Sequence, residues 1–344
     1  MSVLRIDAAG PATSVQDGGR FGFLRYGLSS AGAMDRTAHE TANALVGNAA
    51  QAPVVEIGPF PARFAGENAP VRLALAGAAR AADIGNRRIA LGESFLLAPG
   101  EALSLGAARG GVFSYLGVAG GIAGTPMFGS FSVHARADLG SPLPRPLSAG
   151  DKLEVATADP LAGDWRLALP PPDPSPIRVV LGPQDDWFGE AAVAQFLGTE
   201  WQVSPASDRM GYRLLGPKIA AARGHNIVSD GIALGQIQVP GDGQPLVLMA
   251  DRGTTGGYPK IAAIVSADLG RFAQTPAGTS VRFAAVPIDD AQRITRLWRQ
   301  KLATLPLARE TAARPLPTSE ALLAANLAGA AVNALDPQPW THKE

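Results

Sequence analysis

The chain has 344 residues, of which 46% are hydrophobic and 17% are charged. This composition excludes an intrinsically disordered chain, which needs high charge and low hydrophobicity. The 30 Lys and Arg residues balance the 30 Asp and Glu residues, so bulk electrostatics do not favour nucleic acid or an anionic membrane as a partner. The absence of cysteine excludes disulfides, cysteine-bound metals and a cysteine nucleophile.

Two further patterns concern location and metals. No apolar run reaches the ~18 residues of a membrane span, and residues 1–10 lack the charged-then-apolar pattern of a signal peptide. We therefore expect a soluble, cytoplasmic protein. The four histidines are scattered along the chain, so we expect no metal site.

Strand character dominates the chain. Short apolar or alternating runs occur at 3–6, 71–76, 112–118, 152–155, 177–181, 246–250 and 281–286. Helical periodicity is rarer and predicts helices at 34–46, 187–197, 260–272 and 289–302. The pattern is typical of a mainly β protein with a few helices, whose strands form barrels or sandwiches.

A proline-rich segment divides the chain. Residues 169–176 contain five prolines in eight residues, which favours a stiff, extended linker. We predict domains at 1–168 and 177–287, followed by a helical C-terminal extension at 288–344. In that extension, Thr318 or Ser319 is predicted to cap a short helix.

The first polar motif is Thr-Ser-Val-Gln-Asp-Gly-Gly-Arg at 13–20. Gln16, Asp17 and Arg20 are candidate substrate-binding residues. Their residue types alone also fit ordinary loop and capping chemistry.

A second motif, at 207–214, contains Arg209, Tyr212 and Arg213. Two arginines and a tyrosine can clamp an anion, because guanidinium groups bind carboxylates bidentately. A solvated hairpin with Arg–Asp pairs is the alternative. We take Arg209 and Tyr212 as candidate substrate-binding residues.

A third motif, at 235–241, places two amides in one strand. Gln236 and Gln238 are two residues apart, and side chains alternate along a strand, so both are expected on one face. That face is predicted to be a polar lining that binds substrate; a half-exposed strand is the alternative.

The densest group of polar residues and glycines comprises Asp251, Arg252, Thr254, Thr255, Gly256, Gly257, Tyr258, Pro259 and Lys260. Glycines permit the left-handed backbone of an anion-binding nest, and Pro259 predicts the start of a helix whose N-terminus adds positive charge. Asp251, Arg252 and Lys260 are therefore candidate catalytic residues, and residues 254–258 are candidates for substrate binding. In this interpretation Asp251 orients Arg252 or acts as a base. An ordinary strand–turn–helix connection is the alternative.

Several common motifs are missing. The sequence has no P-loop for ATP, no Gly-x-Ser-x-Gly and no Met-Lys-Met. We therefore expect that the chain does not act alone on ATP and carries no attached biotin.

Together these segments resemble a known family. The runs TSVQDGGRFGF, SSAGAMD, SDRMGYRL, GQIQVPGDGQPLVLMADR and TTGGYPKIA are similar, in this order and spacing, to the family variously called biotin-dependent carboxyltransferase, allophanate hydrolase subunit 2, KipA-like protein and the C subunit of 5-oxoprolinase. The resemblance covers roughly residues 3–286. It implies two cyclophilin-like β-barrel domains and a partner resembling allophanate hydrolase subunit 1, the KipI-like protein.

The resemblance leaves three functions open. The first is a component of an ATP-dependent, amide-hydrolysing complex, in which the A subunit of 5-oxoprolinase also takes part and ATP is used by the assembly. The second is a carboxyltransferase that takes carboxybiotin as a substrate and acts on urea or a related amide. The third is a non-catalytic, KipA-like regulator of a KipI-like protein.

The sequence departs from the family pattern at two positions. Gly253 stands where the family usually has glutamine, and Phe131 stands where it has arginine. Each change removes a polar side chain that could contact a ligand.

Overall fold

A computed structural model describes residues 2–312, except residues 158, 160, 162 and 172. The helix predicted to begin at Thr318 or Ser319 lies outside the described residues. No helix among the described residues is long and apolar enough to cross a membrane. None of the described histidine, aspartate and glutamate side chains form a group of three that could hold a metal ion.

The segment before the proline-rich linker forms two antiparallel sheets. Its strands are β1 Val3–Ala8, β2 Ser14–Gln16, β3 Val54–Ile57, β4 Ala62–Glu67, β5 Val71–Ala79, β6 Ala82–Ile84, β7 Arg87–Arg88, β8 Ser94–Leu97, β9 Ala102–Leu105, β10 Arg109–Val118 and β11 Lys152–Glu154. One sheet has the order β11-β1-β4-β9-β6-β7 and the other has the order β2-β3-β10-β5-β8. Their inner faces enclose an apolar core that includes Leu4, Phe64, Leu73 and Leu116.

The segment after the linker forms an eight-stranded sheet. The strands of this segment are β13 Ile177–Leu181, β14 Trp201–Val203, β15 Gly211–Leu215, β16 Asp230–Gly231, β17 Gln236–Gln238, β18 Leu246–Leu248, β19 Thr255–Gly256, β20 Lys260–Ile264, β21 Ser280–Val281, β22 Phe283–Ala285 and β23 Glu310–Thr311. The short strand β12 Trp165–Arg166 precedes the linker and pairs with β23. The sheet order is β21-β14-β15-β18-β17-β20-β13-β22. Only Arg282 separates the two edge strands β21 and β22, so the sheet curls until its edges almost meet. This closure gives a barrel, which protects the sheet edges.

The described residues also contain four α-helices: α1 Arg36–Leu45, α2 Gly189–Gly198, α3 Leu269–Ala273 and α4 Ile288–Thr304. Helix α1 is capped by Asp35, whose carboxylate accepts from the Ala38 N–H at 3.1 Å. The helices predicted at 34–46, 187–197 and 289–302 are confirmed within a few residues.

The helix predicted at 260–272 is wrong in its first half. Residues Lys260–Ile264 form β20, which pairs with β13 and β17 in the middle of the barrel sheet. Pro259 therefore precedes a strand, and α3 begins only at Leu269. Pairing on both sides overrides the helical pattern, because a central strand satisfies all its backbone groups.

The prediction of a mainly β chain with barrel-like sheets and a few helices is confirmed. Each predicted strand run contains an observed strand, with 281–286 divided at Arg282. The domain boundaries at 168, 177 and 287 stay a prediction, because one apolar core joins residues from both sides of the linker, including Met34, Tyr115, Tyr212 and Ile237. The described part of the extension starts with α4 but ends in β23, which pairs with β12.

Candidate functional site

A buried carboxylate lies where the sheets that precede the linker meet the barrel sheet that follows it. Glu56 on β3 is fully buried, and its Oε2 accepts from the Met34 N–H and the Tyr115 hydroxyl, both at 2.8 Å. The Tyr115 oxygen in turn accepts from the Asp35 N–H at 2.7 Å. Burial and the Glu56 carboxylate raise the pKa of Tyr115 well above its ordinary value, so the phenol remains a donor.

Arg209 connects this carboxylate to the barrel. Its Nε and Nη2 donate to the two oxygens of Asp251 at 2.9 and 3.0 Å, and its Nη1 donates to Glu56. Nη2 also donates to the Gly32 carbonyl at 2.8 Å. Burial lowers the pKa of Arg209, but Asp251 and Glu56 outweigh that effect and raise it above its ordinary value. The arginine is therefore a permanent cation between two carboxylates.

Burial raises the pKa of Glu56, and the Arg209 guanidinium opposes that rise. With both carboxylates ionised, Arg209 alone leaves one negative charge in excess. Nearby cations are needed to offset it, because an uncompensated buried charge is strongly destabilising.

Two further buried arginines meet this need. Arg20 and Arg252 are 1% and 5% exposed, and neither forms an ion pair within the described residues. Burial lowers the pKa of both guanidinium groups. Asp17 and then Asp251 oppose the effect for Arg20, and Asp251 opposes it for Arg252, so both arginines lie within electrostatic reach of Asp251. Within the described part of the chain, the hydrogen bonds of the Arg252 guanidinium are both long, at 3.5 Å, and go to the Ile232 and Met249 carbonyls.

Arg20 keeps one donor free. Its Nε and Nη2 donate to the carbonyls of Met127 and Ser132 at 3.1 and 3.0 Å, whereas the buried Nη1 has no partner. Gln16 is similar, because its amide nitrogen donates to Ser14 while its buried oxygen is unpartnered. An unpartnered buried polar atom costs free energy, which a bound ligand can recover.

Asp17 is a positioning residue. Its carboxylate accepts from the Gly19 N–H, the Ser130 and Ser132 hydroxyls and the Phe131 N–H, at 2.5 to 2.8 Å. The three bonds from Ser130, Phe131 and Ser132 fix the loop at 130–132 against the end of β2.

A second polar cluster lies in the barrel. Lys260 is fully buried, and its Nζ donates to Asp230 at 3.2 Å. The side chain of Gln184 accepts from the Lys260 N–H at 3.1 Å. A shift of register in β20 sets Lys260 across from Gln238, whose buried amide nitrogen has no partner.

The predicted nest is wrong. Thr255–Gly256 is β19 and pairs with β16, and neither Gly256 nor Gly257 has the positive φ that a nest requires. No helix N-terminus adds charge, since Lys260 begins a strand. Gly256 lies close to Gln238 instead, because an added Cβ would lie 2.5 Å from the Gln238 amide nitrogen and would require that side chain to move.

The other predicted site residues differ in their burial and in their hydrogen-bond partners. Asp251 orients Arg209 and forms no described ion pair with Arg252, which corrects the predicted partnership. The Tyr212 hydroxyl donates to the Ala273 carbonyl at 2.8 Å inside the core, so it is committed to packing. Gln236 accepts from the Ala233 N–H and is only half-buried, and Tyr258 is 41% exposed.

The Thr254 carbonyl accepts from the Ile232 N–H. This hydrogen bond connects the segment that follows Asp251 to the segment between β16 and β17.

Three site residues were missed. Glu56 sits between apolar residues in Val-Val-Glu-Ile, and a carboxylate in an apolar strand is a signal that could have revealed it. Tyr115 carries no such signal, because aromatic residues are common in buried strands. Gln184 lies in a loop, and only the tertiary structure brings it to Lys260.

The two departures from the family pattern have structural counterparts. The Phe131 side chain packs against the core of the first two sheets, while its N–H donates to Asp17. An added Cβ at Gly253 would meet only the Thr255 carbonyl, at 3.5 Å.

A family model described as carboxyltransferase domain, subdomain A and B, matches residues 26–285. The chain belongs to this carboxyltransferase family. The resemblance noted from the sequence motifs is thereby confirmed.

Named relatives agree with this assignment. The 5-oxoprolinase C subunit of Escherichia coli (strain K12) is 37% identical over 291 residues, which cover 84% of this chain and 93% of that protein. The protein of the same name from Haemophilus influenzae is 34% identical over 293 residues, covering 85% of this chain and 93% of that protein.

Among solved structures, the chain is similar to a urea amidolyase. The crystal structure of the K. lactis urea amidolyase matches with a TM-score of 0.81 and 27% identity. The match covers 88% of this chain but only 20% of the amidolyase, so this carboxyltransferase-family chain corresponds to about a fifth of that enzyme.

Proposed function

We propose that this chain is one component of an ATP-dependent, amide-hydrolysing complex of the 5-oxoprolinase type, and that it binds a small anionic amide. The observation that carries the proposal is the pair of buried guanidinium groups, Arg20 and Arg252, which have no ion-pair partner among the described residues. A ligand carboxylate can accept hydrogen bonds from these guanidinium groups, because neither of them donates to a carboxylate among the described residues. The 37% identity to a 5-oxoprolinase C subunit supports the choice of reaction.

In this proposal the chain contributes positioning and electrostatics. Arg252 binds the carboxylate, and the free Nη1 of Arg20 donates to oxygen on the activated amide, where charge develops. The Gln16 amide oxygen accepts the amide N–H. ATP is used by the assembled complex: an O–P bond forms at the amide oxygen as the γ-phosphoryl bond to ADP breaks.

The test is ATP-dependent consumption of 5-oxoproline by the complete complex. We expect Arg252→Met to lower kcat/KM at least tenfold, because a charge-assisted hydrogen bond contributes roughly 1.5–3 kcal/mol. Arg213→Met removes an exposed arginine from the adjacent β15 and serves as the control. No turnover by the wild-type complex would refute the proposed reaction.

Carboxyl transfer is the second candidate function. The similarity to the K. lactis urea amidolyase favours it, because the described fold superposes on part of that enzyme. Carboxybiotin would then be the substrate, delivered on a separate carrier protein, and the same arginines would bind its carboxylate. Carboxylated carrier supplied with urea, in place of ATP and 5-oxoproline, distinguishes the two reactions.

We also propose that the partner, a KipI-like protein, docks on an exposed aromatic cluster beside the site. The cluster comprises the aromatic residues Phe21, Tyr26 and Phe128 together with Leu24, and these side chains are 44% to 68% exposed. The Phe128 ring contacts that of Phe23 in a tilted arrangement, with centroids 5.2 Å apart, and Phe128 follows Met127, whose carbonyl accepts from Arg20. Contiguous exposed aromatic side chains next to a buried polar site are typical of protein interfaces. The A subunit of 5-oxoprolinase would join the same assembly, and the use of ATP is consistent with a cytoplasmic setting.

This interface is testable by co-purification. Phe128→Glu is expected to lower recovery of the KipI-like protein at least tenfold, because it places a charge in an apolar contact. Phe60→Glu is the matched control, since Phe60 is 53% exposed and Phe128 is 52% exposed. Equal recovery with both variants would remove the aromatic cluster from the interface.

A further inference from the structure

Lys260 has an unusual partner for a fully buried ammonium group. Its side chain is 0% exposed, yet the carboxylate that pairs with it, on Asp230, is 57% exposed. The pair is 3.2 Å long and, among the described residues, is the only side-chain contact of the Lys260 ammonium. A buried cation is thus neutralised by a group that reaches it from the surface.

The Gln238 amide is a second donor beside Lys260. Gln238 is 4% exposed, lies across from Lys260 in the sheet, and its amide nitrogen is buried without a partner. The backbone of Gly256 lies against that amide, and Gly256 pairs with Asp230. The ribbon formed by β16 and β19 therefore covers the two donors.

Asp230 is attached to an element with little packing. Strand β16 has two residues, both exposed, and Val228 just before it is 92% exposed. Besides Lys260, the Asp230 carboxylate interacts with the neighbouring Gly231 N–H, at 2.7 Å, and with the Gln184 side chain. Such a short, exposed ribbon can open at small free-energy cost.

We propose that Lys260 and Gln238 form a carboxylate-binding position, and that the Asp230 carboxylate occupies it until a carboxylate ligand displaces it. The inference rests on the proposed function in one respect: it takes a small carboxylate as the ligand class, and this carboxylate would contact Lys260 in addition to Arg252, whose guanidinium reaches the Ile232 carbonyl directly after β16. Asp230 is an internal competitor, because its tether gives it a high effective concentration at the position. A free carboxylate binds only when the ribbon is open. Its apparent dissociation constant is therefore the intrinsic dissociation constant divided by the fraction of molecules in which the ribbon is open.

The experiment measures binding of two carboxylates, acetate and 5-oxoproline, to the full chain by calorimetry in low-chloride buffer. The neutral lactam 2-pyrrolidinone is the ligand control, since it lacks the carboxylate. The test variant is Asp230→Asn, which removes the charge and keeps the side-chain shape. Glu200→Gln is the matched variant, because Glu200 is similarly exposed, at 56%, and is paired with Arg282 at 3.3 Å.

We expect Asp230→Asn to bind both carboxylates at least tenfold more tightly than the wild type, with no change for 2-pyrrolidinone. Glu200→Gln should bind like the wild type. Adding Lys260→Met to Asp230→Asn should abolish the gain.

Three results would overturn the inference. The first is that Asp230→Asn binds the carboxylates no more tightly than the wild type, which includes the case in which neither protein binds them. The second is an equal gain in affinity for 2-pyrrolidinone, and the third is a lower melting temperature as the sole effect, which marks a purely structural ion pair. Failure of the proposed function has a different signature, in which Asp230→Asn gains carboxylate binding but the wild-type complex does not consume 5-oxoproline.

Discussion

At the scale of single residues, burial decides which polar groups remain available. His39 on α1 is fully buried, and its Nε2 lies 3.0 Å from the Ala52 carbonyl while its Nδ1 has no partner. The contact requires a proton on Nε2, so a second proton on Nδ1 would create a buried donor with no acceptor. Burial accordingly lowers the pKa of His39 from 6.5 to about 4.

This histidine predicts a pH dependence of stability. Above pH 6.5 the ring is neutral in both states, so its contribution is complete. Between pH 6.5 and 4 the unfolded chain takes up a proton that the folded chain does not, so stability falls with falling pH, by about 3 kcal/mol in all. Urea denaturation at pH 7.5 and 4.5 should show a smaller difference for His39→Gln than for the wild type. The exposed His225→Gln should match the wild type, and an unchanged difference in His39→Gln would contradict the assignment.

At the scale of elements, close packing of α1 on the second sheet holds the site together. Gly117 on β10 faces this helix, and an added Cβ would lie 2.5 Å from the Ala42 carbonyl oxygen. Helix backbone cannot move aside locally as a flexible side chain can. The helix also carries Asp35 at its N-terminus, which binds Tyr115, so a shift of α1 would reach Glu56.

We therefore expect Gly117→Ala to lower the free energy of unfolding by roughly 1–3 kcal/mol through overpacking. Gly198→Ala is the control, because Gly198 ends α2 and an added Cβ there has no neighbour within 4 Å. Alanine favours helix over glycine, so that control should be neutral or slightly stabilising. Equal stability of the two variants in urea denaturation would show that α1 can adjust.

At the scale of the whole molecule, a few polar contacts connect the sheets on either side of the linker. Arg209 joins Glu56 to Asp251, and Gln274 makes four hydrogen bonds of 2.9 Å to Asp35, Val112 and Phe113. The shared apolar core lies beside them. The candidate site is therefore formed by both segments together.

Arg209→Met should destabilise the chain by about 3–5 kcal/mol, because it leaves Glu56 buried without its cation. Adding Glu56→Gln should recover part of that loss, so the double variant should lose less than the sum of the single variants. Arg213→Met, at an exposed position, should change stability by less than about 0.5 kcal/mol. Additive effects of Arg209→Met and Glu56→Gln in urea denaturation would contradict a direct coupling.

The sequence by itself determined the class of the protein and most of its elements. Periodicity located three of the helices and the main strands, because apolar spacing reports directly on which face is buried. The long motifs identified the family, which the family model and the relatives confirm. They also singled out Arg20, Arg209, Asp251, Arg252 and Lys260 as candidate site residues.

Only the tertiary structure decided how these charges are paired. The turn at 251–260 contains the glycines that an anion nest needs, yet Gly256 pairs with β16 as part of β19, and neither Gly256 nor Gly257 has a positive φ. Lys260 has the spacing of a helix start, yet it joins the centre of a sheet because two neighbouring strands bond to it. Glu56 meets Arg209 across 153 residues of sequence. Local patterns determine local structure, whereas the partner of a buried charge depends on distant segments, which the folded core alone brings within hydrogen-bonding distance.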